Sequence, residues 1–334
     1  MPELRRDPIT GRWVIIATER GRRPSDFGAP PERRRGGFCP FCPGNEERTP
    51  PEVYAVGEPG RRANGPGWTL RVVPNKFPAL RVEGDLDRAG DGVYDRMNGI
   101  GAHEVVIDTP DHAATLATLA PARVLDVLRA FQARINDLRN DVRLRYVLVF
   151  KNHGEAAGAT IEHSHSQLIA LPVVPKEVVE ELEGMRAYYA YKERCLLCDI
   201  VRQETGEGAR VVVEDAFTVV MEPFAPRFPF ETWIVPKRHE AAYEGTTREG
   251  LDSLARLLSE TLRRIDKVLA TPPYNFVLHT FPLRGSAVDP ASYHWHFEVI
   301  PKLTKVGGFE WGSDFFINPT PPEEAATFLR EAKI

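Results

Sequence analysis

The chain lacks any apolar run near the ~18 residues that a membrane-spanning helix requires, so no membrane partner is expected. Its opening residues, Met1-Pro2-Glu3-Leu4-Arg5-Arg6-Asp7, lack the apolar stretch of a secretory signal. The expectation is a soluble, cytoplasmic protein. An excess of either charge is also missing: 43 basic residues stand against 47 acidic ones, a net of −4. That argues against affinity built on broad contacts with a phosphate backbone, so nucleic acid is not an expected partner. The basic run Arg33-Arg34-Arg35 reads as a solvated loop. Cysteine is scarce too. The four present form two CxxC pairs, Cys39/Cys42 and Cys195/Cys198, which in a reducing compartment point to metal or redox chemistry rather than a disulfide framework.

Apolar residues are plentiful, at 42% of 334, enough for two domains or for one large domain built from two halves. The halves carry the same features in the same order. The first runs from Cys39-Pro40-Phe41-Cys42 through the apolar stretch Glu104-Val105-Val106-Ile107 to Pro110-Asp111-His112. A helical segment, the stretch Tyr146-Val147-Leu148-Val149-Phe150 and His163-Ser164-His165 follow. The second runs from Cys195-Leu196-Leu197-Cys198 through Glu231-Thr232-Trp233-Ile234-Val235 to Pro236-Lys237-Arg238-His239. It continues with a helical segment, Asn275-Phe276-Val277-Leu278 and His294-Trp295-His296. Duplication explains this order more simply than chance.

Val124, Leu128, Phe131, Ile135 and Leu138 recur at steps of three and four, as do Leu251, Leu254, Leu258, Leu262, Ile265 and Leu269. Each set is the apolar stripe of a helix. The stretches around them are rich in Val, Ile and Phe and spaced as hairpins. An α+β fold with a mainly antiparallel sheet and one long helix per half follows. The seam falls near Val174–Lys176, giving halves of residues 1–176 and 177–334, and residues 177–193 read as a helix leading into the second CxxC. Residues 20–51, 57–67 and 84–92 read as irregular.

Structural zinc prefers four thiolate and imidazole ligands. Each half supplies two Cys, a lone His and the first His of its HxH: Cys39, Cys42, His112 and His163, then Cys195, Cys198, His239 and His294. Two zinc ions per chain are therefore expected. A lone CxxC would equally suit a redox pair or ordinary buried cysteines, and a lone His is usually a surface or core residue. The repetition of both in matched positions overturns those readings. His103, His153 and His279 have no such match and stay outside the metal sets.

The residues around the first HxH are the more polar: Asn152-His153-Gly154-Glu155-Ala156-Ala157-Gly158-Ala159-Thr160-Ile161-Glu162-His163-Ser164-His165-Ser166-Gln167. On a strand, His163, His165 and Gln167 share one face. A Gly/Ala-rich loop lets backbone N–H groups approach a phosphate. With His163 held by metal, His165 is free to attack phosphorus as the nucleophile. Gln167 offers an amide donor to the charge on the phosphoryl group.

His163-Ser164-His165-Ser166-Gln167 resembles the HxHxQ motif of the galactose-1-phosphate uridylyltransferase family, a branch of the histidine-triad superfamily, and the resemblance covers nearly the whole chain. It implies two histidine-triad-like halves, a homodimer with shared active sites, and ping-pong transfer through a nucleotidyl-histidine. The expected donor and acceptor are UDP-glucose and galactose 1-phosphate. Metal ligation by Cys39, Cys42, His112 and His163 matches the family. Its phosphate and nucleotide contacts fall on Asn152, Thr160 and Gln167, and its nucleoside segment is similar to the stretch holding Asn75, Lys76 and Phe77. The arginine segment reaching a neighbouring subunit falls on Arg20 and Arg23, and the sugar site on Gly308, Phe309 and Glu310.

The chain departs from the family pattern in four places. Ser164 and Ser166 stand where many members have prolines, Lys76 replaces a commonly acidic residue, and Phe316 falls near the position of a sugar-binding glutamine. ADP-glucose phosphorylase-like relatives share such features, so adenylyl transfer to inorganic phosphate is the alternative. In the second half, some members bind iron through a Glu and three His, to which Glu181, His279, His294 and His296 could align. With Cys195 and Cys198 present, zinc with His239 and His294 is the expected set. That half, with Glu298 in the glutamine position, is expected to be catalytically silent. A non-catalytic zinc or nucleotide-binding module and a nucleotide hydrolase are the rivals from other classes.

Overall fold

The structure, a computed structural model, describes residues 1–17, 24–27 and 36–334. Arg20, Arg23 and the run Arg33–Arg35 lie outside the described residues. Near the N-terminus β1 (Glu3–Arg6) and β2 (Trp13–Ile16) form a hairpin. Next come β3 (Tyr54–Gly57), β4 (Trp68–Pro74), a small hairpin of β5 (Ala89–Asp91) and β6 (Tyr94–Arg96), and β7 (Ala102–Ile107). Helix α1 (Pro121–Leu138), β8 (Tyr146–His153) and β9 (His165–Leu171) follow. Helices α2 (Lys176–Lys192) and α3 (Leu196–Glu207) lead to β10 (Val211–Glu214), β11 (Thr218–Met221) and β12 (Thr232–Pro236). Then come α4 (Arg248–Leu269), β13 (Tyr274–His279) and β14 (His296–Pro301), and the chain closes with α5 (Gly308–Ser313), β15 (Phe316–Asn318) and α6 (Pro322–Glu331).

Ten strands form one sheet in the order β10-β11-β12-β14-β13-β8-β9-β7-β4-β3, and every pairing in it is antiparallel. From each edge inward the orders correspond: β3-β4-β7-β9-β8 on one side, β10-β11-β12-β14-β13 on the other. The repeated sequence is thus a repeated five-strand unit. The units meet where β8 pairs with β13, with Asn152 opposite Asn275 and Lys151 opposite Phe276. A parallel pairing of β15 with β2 ties the C-terminal region back to the N-terminal hairpin.

The two apolar stripes do what their periodicity implies. Val124, Leu128, Phe131 and Ile135 of α1 and Leu254, Leu258, Leu262 and Ile265 of α4 are buried on one face of the sheet, against Val149, Leu168, Phe276 and Phe297. Pro121 at the start of α1 costs no hydrogen bond, because a first-turn N–H has no helical partner. Thr247 caps α4 by accepting from the Gly250 N–H at 3.2 Å. The other face is covered by α2 and α3, whose Leu182, Met185 and Leu197 pack on Tyr146, Met221 and Trp233.

Two differences from the sequence reading have physical reasons. Residues 177–193 form the expected helix, α2, but the second half also holds α3, whose 12 residues bury only Leu196, Leu197, Val201 and Glu204. Such a short stripe, with a glutamate in it, does not register as amphipathic periodicity. The segment 84–92 is not wholly irregular, since Ala89, Gly90 and Asp91 pair with Arg96, Asp95 and Tyr94. Those pairs are exposed, so no apolar alternation marks them.

One buried ion pair fastens α1 to the sheet. Arg134 donates from Nε and Nη2 to the two carboxylate oxygens of Glu104 on β7, both at 2.7 Å. Arg134→Met should therefore strand a buried carboxylate and cost about 3–5 kcal/mol in urea unfolding at fixed zinc concentration. The double substitution Glu104→Leu/Arg134→Met should recover most of that loss.

Candidate active site

Antiparallel pairing of β7 with β9 sets Ile107 opposite His165. The chain just after β7 and the chain just before β9 therefore lie at the same end of the sheet, which brings His112 beside His163. Their rings meet edge to face at 5.2 Å. The Cys39-Pro40-Phe41-Cys42 turn is closed by the Asn45 side chain, which donates to the Cys39 carbonyl at 2.8 Å, and it delivers both sulfurs to the same point. Cys42 Sγ lies 3.3 Å from His112 Nδ1 and 3.6 Å from His163 Nδ1, and Cys39 Sγ lies 3.7 Å from His163 Nδ1. His163 Nε2 donates to the Thr109 carbonyl at 2.7 Å. A carbonyl only accepts, so the lone pair of the neutral ring is on Nδ1, facing the sulfurs.

The second half repeats the arrangement. Cys195 precedes α3 and Cys198 lies in its first turn, while His239 follows β12 and His294 precedes β14. Cys198 Sγ lies 3.5 Å from His239 Nδ1 and 3.4 Å from His294 Nδ1, and Cys195 Sγ lies 3.9 Å from His294 Nδ1. Hydrogen bonds from Cys198 and His294 outweigh burial and pull the Cys195 thiol down to about 4, while Cys198 is raised as the partner that keeps the proton. In each set of four, all ligand atoms lie within 4.8 Å of one another. A tetrahedral ion at zinc–sulfur and zinc–nitrogen bond lengths sets sulfur and nitrogen ligands ~3.5 Å apart. Both sets, with two sulfur and two nitrogen donors, fit such an ion.

His165 opens β9 and is buried. Its Nδ1 donates to the His163 carbonyl at 2.9 Å, which leaves the lone pair on Nε2. Phe41, inside the first CxxC turn, packs edge-on against this ring at 5.5 Å, so that turn also braces it. Burial first, and the positive charge of Lys151 second, push the imidazole down to about 4. The ring is thus neutral, with an unprotonated nitrogen, at physiological pH.

Beneath the strand, on its helix-facing side, lies a polar cluster that the sequence reading passed over. Lys151 Nζ is buried and donates to Asp108 at 2.7 Å, to Ser164 Oγ at 3.0 Å and to the His165 carbonyl at 2.8 Å. Ser164 and Ser166 donate to the two oxygens of Asp108 at 2.9 and 3.1 Å. The two serines within HxHxQ are therefore ligands of a buried carboxylate, which itself neutralises a buried lysine. The clue in the sequence was a lysine and an aspartate placed among apolar strand residues.

The remaining expected site residues divide by position. Asn152, next to the end of β8, accepts from Asn275 Nδ2 at 2.8 Å. Asn275 also donates to the Ala157 carbonyl at 2.8 Å, so the second half shapes the Gly/Ala loop of the first. Gly154 and Gly158 both adopt positive φ, at 85° and 93°, which L side chains rarely accept, and Thr160 is exposed at the loop's end. Asn75 lies 3.1 Å from His103, which in turn is 2.8 Å from Gln167. Lys76 and Phe77 are exposed beside them. Gly308, Phe309 and Glu310 belong to α5. Among the described residues their hydrogen bonds and ring contacts are local, through Gly307, Ser313 and Phe315, and none reaches β9. Phe316 packs on Phe228 and lies under the Arg12 guanidinium.

In the second half His296 occupies the position of His165 but has different company. His279 stacks on it at 4.8 Å, with Glu181 2.8 Å from His279 Nδ1 and Glu298 3.8 Å from His296 Nε2. Glu298 also pairs with Arg227. Burial opposes charge on His279, but Glu181 and Glu298 outweigh it and push the ring up to about 9. The alternative iron set is divided: Glu181, His279 and His296 cluster with Glu298, whereas His294 turns its Nδ1 to the cysteines.

Purified protein should hold two metal ions per chain by elemental analysis. Cys39→Ser or His112→Ala should remove one and lower stability by on the order of several kcal/mol, because metal affinity is linked to folding. One ion only, with Cys195 and Cys198 open to thiol reagents, would contradict the second set.

The comparisons with known proteins agree over the full length. The family models for the N-terminal and C-terminal domains of galactose-1-phosphate uridyl transferase match residues 1–175 and 181–325. An ADP-glucose phosphorylase of Arabidopsis thaliana is 37% identical, covering 100% of this chain and 93% of its own. A galactose-1-phosphate uridylyltransferase of Thermotoga maritima is 29% identical, covering 100% and 99%. Among solved structures, an ADP-glucose phosphorylase from Arabidopsis thaliana with bound ADP-glucose is 36% identical, with a TM-score of 0.86 and coverage of 100% and 99%. A uridylyltransferase structure is 30% identical, with a TM-score of 0.77 and coverage of 99% and 98%. With both domain models matched and this overall likeness, the chain belongs to the galactose-1-phosphate uridylyltransferase family.

Proposed function

We propose that the chain is a nucleotidyltransferase that moves a nucleoside monophosphate from a nucleotide sugar to a phosphate-bearing acceptor by way of His165. The observation that carries this is the tautomer of His165: its Nδ1–H is spent on the His163 carbonyl, leaving a neutral Nε2 with a free lone pair. In the first step Nε2 bonds to the α-phosphorus and the bond to the leaving phosphate oxygen breaks, releasing hexose 1-phosphate. In the second step an acceptor phosphate oxygen attacks the same phosphorus and the P–N bond breaks. Gln167 stabilises the phosphoryl charge in both, while the Gly154–Thr160 loop and Asn152 hold the phosphates. Cys39, Cys42, His112 and His163 would hold one zinc ion, and Cys195, Cys198, His239 and His294 a second. The chemistry these supply is structural, tying loops to strand ends.

Two donor–acceptor pairs suit this chemistry. UDP-glucose with galactose 1-phosphate is supported by the uridylyltransferase family models over both domains. ADP-glucose with inorganic phosphate is supported to about the same degree by the 37% identical relative and by the departures at Lys76, Ser164, Ser166 and Phe316. We read residues 177–334 as a catalytically silent half, because His296 is enclosed by charged partners. Gly308–Glu310 make no hydrogen bond or ring contact with β9 among the described residues, and this, with the family resemblance, supports a homodimer whose sites are completed by a second copy. No helix among the described residues is long and apolar enough to cross a membrane, and the unpaired cysteines suit a cytoplasmic setting.

Nucleotide sugar labelled in the α-phosphate, given without acceptor, should leave acid-labile, base-stable label on the protein. His165→Ala should abolish labelling while retaining fold and metal, and Gln167→Ala should slow it by roughly 10²-fold or more. Normal labelling of His165→Ala would overturn the nucleophile. The ratio of kcat/KM between the uridine and adenine pairs should reach ~100-fold, about 2.7 kcal/mol, and its direction assigns the substrate. Light scattering should give the mass of a dimer.

A further inference from the structure

We infer that His103 is the positioning residue that sets which way the Gln167 amide faces; the inference rests on the nucleotidyl-transfer reading above. His103 stands on β7 opposite Ile169, which makes Gln167 its diagonal neighbour on β9, on the face that also carries His165. Its Nε2 lies 2.8 Å from Gln167 Oε1. Its Nδ1 accepts the backbone N–H of Ala79 at 3.2 Å. A backbone N–H can only donate, so Nδ1 carries the lone pair and the proton of the neutral ring is on Nε2. The atom of Gln167 facing that proton must be the acceptor, its carbonyl oxygen. Asn75 Nδ2, 3.1 Å from the same ring nitrogen, is then not hydrogen-bonded to it, since its own Oδ1 is the acceptor for the Phe77 N–H at 2.9 Å.

The consequence lies on the other side of the amide. With Oε1 held by His103, the N–H2 group of Gln167 is the end presented to a phosphoryl group at His165. The reversed amide would offer a carbonyl oxygen to phosphoryl oxygens, turning a stabilising donor into a repulsive acceptor. The segment that precedes β7 thus governs the transition state through two hydrogen bonds, Ala79 to His103 and His103 to Gln167, without touching substrate.

Two measurements test this. Nitrogen-15 spectra of histidine-labelled resting protein should show His103 protonated on Nε2 and unprotonated on Nδ1; a ring protonated on Nδ1 overturns the inference whatever the activity. In single-turnover transfer with the preferred nucleotide sugar, His103→Phe should slow the chemical step by about tenfold or more, part of the range for a lost preorganised donor, and KM should stay within about twofold. His103→Gln, which can place a donor near the same point, should restore most of the rate. In the Gln167→Ala background His103→Phe should add no further loss, with metal content and Tm unchanged. An equal loss from His103→Phe with and without Gln167 overturns the inference, because it would mean His103 acts elsewhere. Failure of the underlying reading is separate: it shows as undiminished transfer by His165→Ala.

Discussion

Antiparallel pairing between β7 and β9 is the constraint on which the site depends. It places Ile107 opposite His165 and Val105 opposite Gln167, so one register decides two things at once. The loop after β7 and the loop before β9 meet at one sheet end, where His112 and His163 face the cysteines. His165 and Gln167 share the face that His103 also occupies. A slip of one residue in β9 would turn His165 and Gln167 away from His103, so the packing of Val106, Leu168 and Ala170 under α1 and α4 holds this arrangement in place as well as the core.

Electrostatics adds a second layer under that register. A buried lysine is costly unless its charge is paired and its protons are bonded, and Lys151 meets both conditions through Asp108, Ser164 and the His165 carbonyl. The cluster clamps the backbone of the HxHxQ stretch from one face, while the side chains of His165 and Gln167 stand on the other. Burial, with the Lys151 charge adding to it and Asp108 opposing, holds the His165 imidazole below its usual range. Prolines at the positions of Ser164 and Ser166 could stiffen such a strand but could not donate to Asp108. The serine pair, the aspartate and the lysine form one hydrogen-bonded set.

Divergence between the halves is legible in the same terms. Each has a CxxC, two histidines and an HxH strand, yet the second His of each HxH has met a different fate. His165 keeps a lone pair and a packed aromatic neighbour in Phe41. His296 is stacked on His279 among Glu181, Glu298 and Arg227. The buried pairs around His279 and His296 tie α2, β13 and β14 together at this point.

How much of this was readable in the residues themselves follows from the range over which each signal acts. Local and periodic signals survived: the stripes of α1 and α4, the paired CxxC and HxH segments, and the apolar strand runs, because each depends on spacing along one stretch of chain. The lack of a long apolar run is matched in the helices: among the described residues none is long and apolar enough to cross a membrane. The duplication, read as repeated order, reappears as two matching five-strand units, although their fusion into one sheet through β8 and β13 has no sequence signature. Tertiary structure alone decided the partners of Lys151, Asp108, Asn275 and His103. Each is an ordinary polar residue in its own neighbourhood and acquires a role only when strands distant in sequence are hydrogen-bonded in a particular register. His103 shows why most clearly. It matched no repeat and fitted no ligand set, and its contact with Gln167 spans 64 residues of chain, a distance across which only strand pairing carries information.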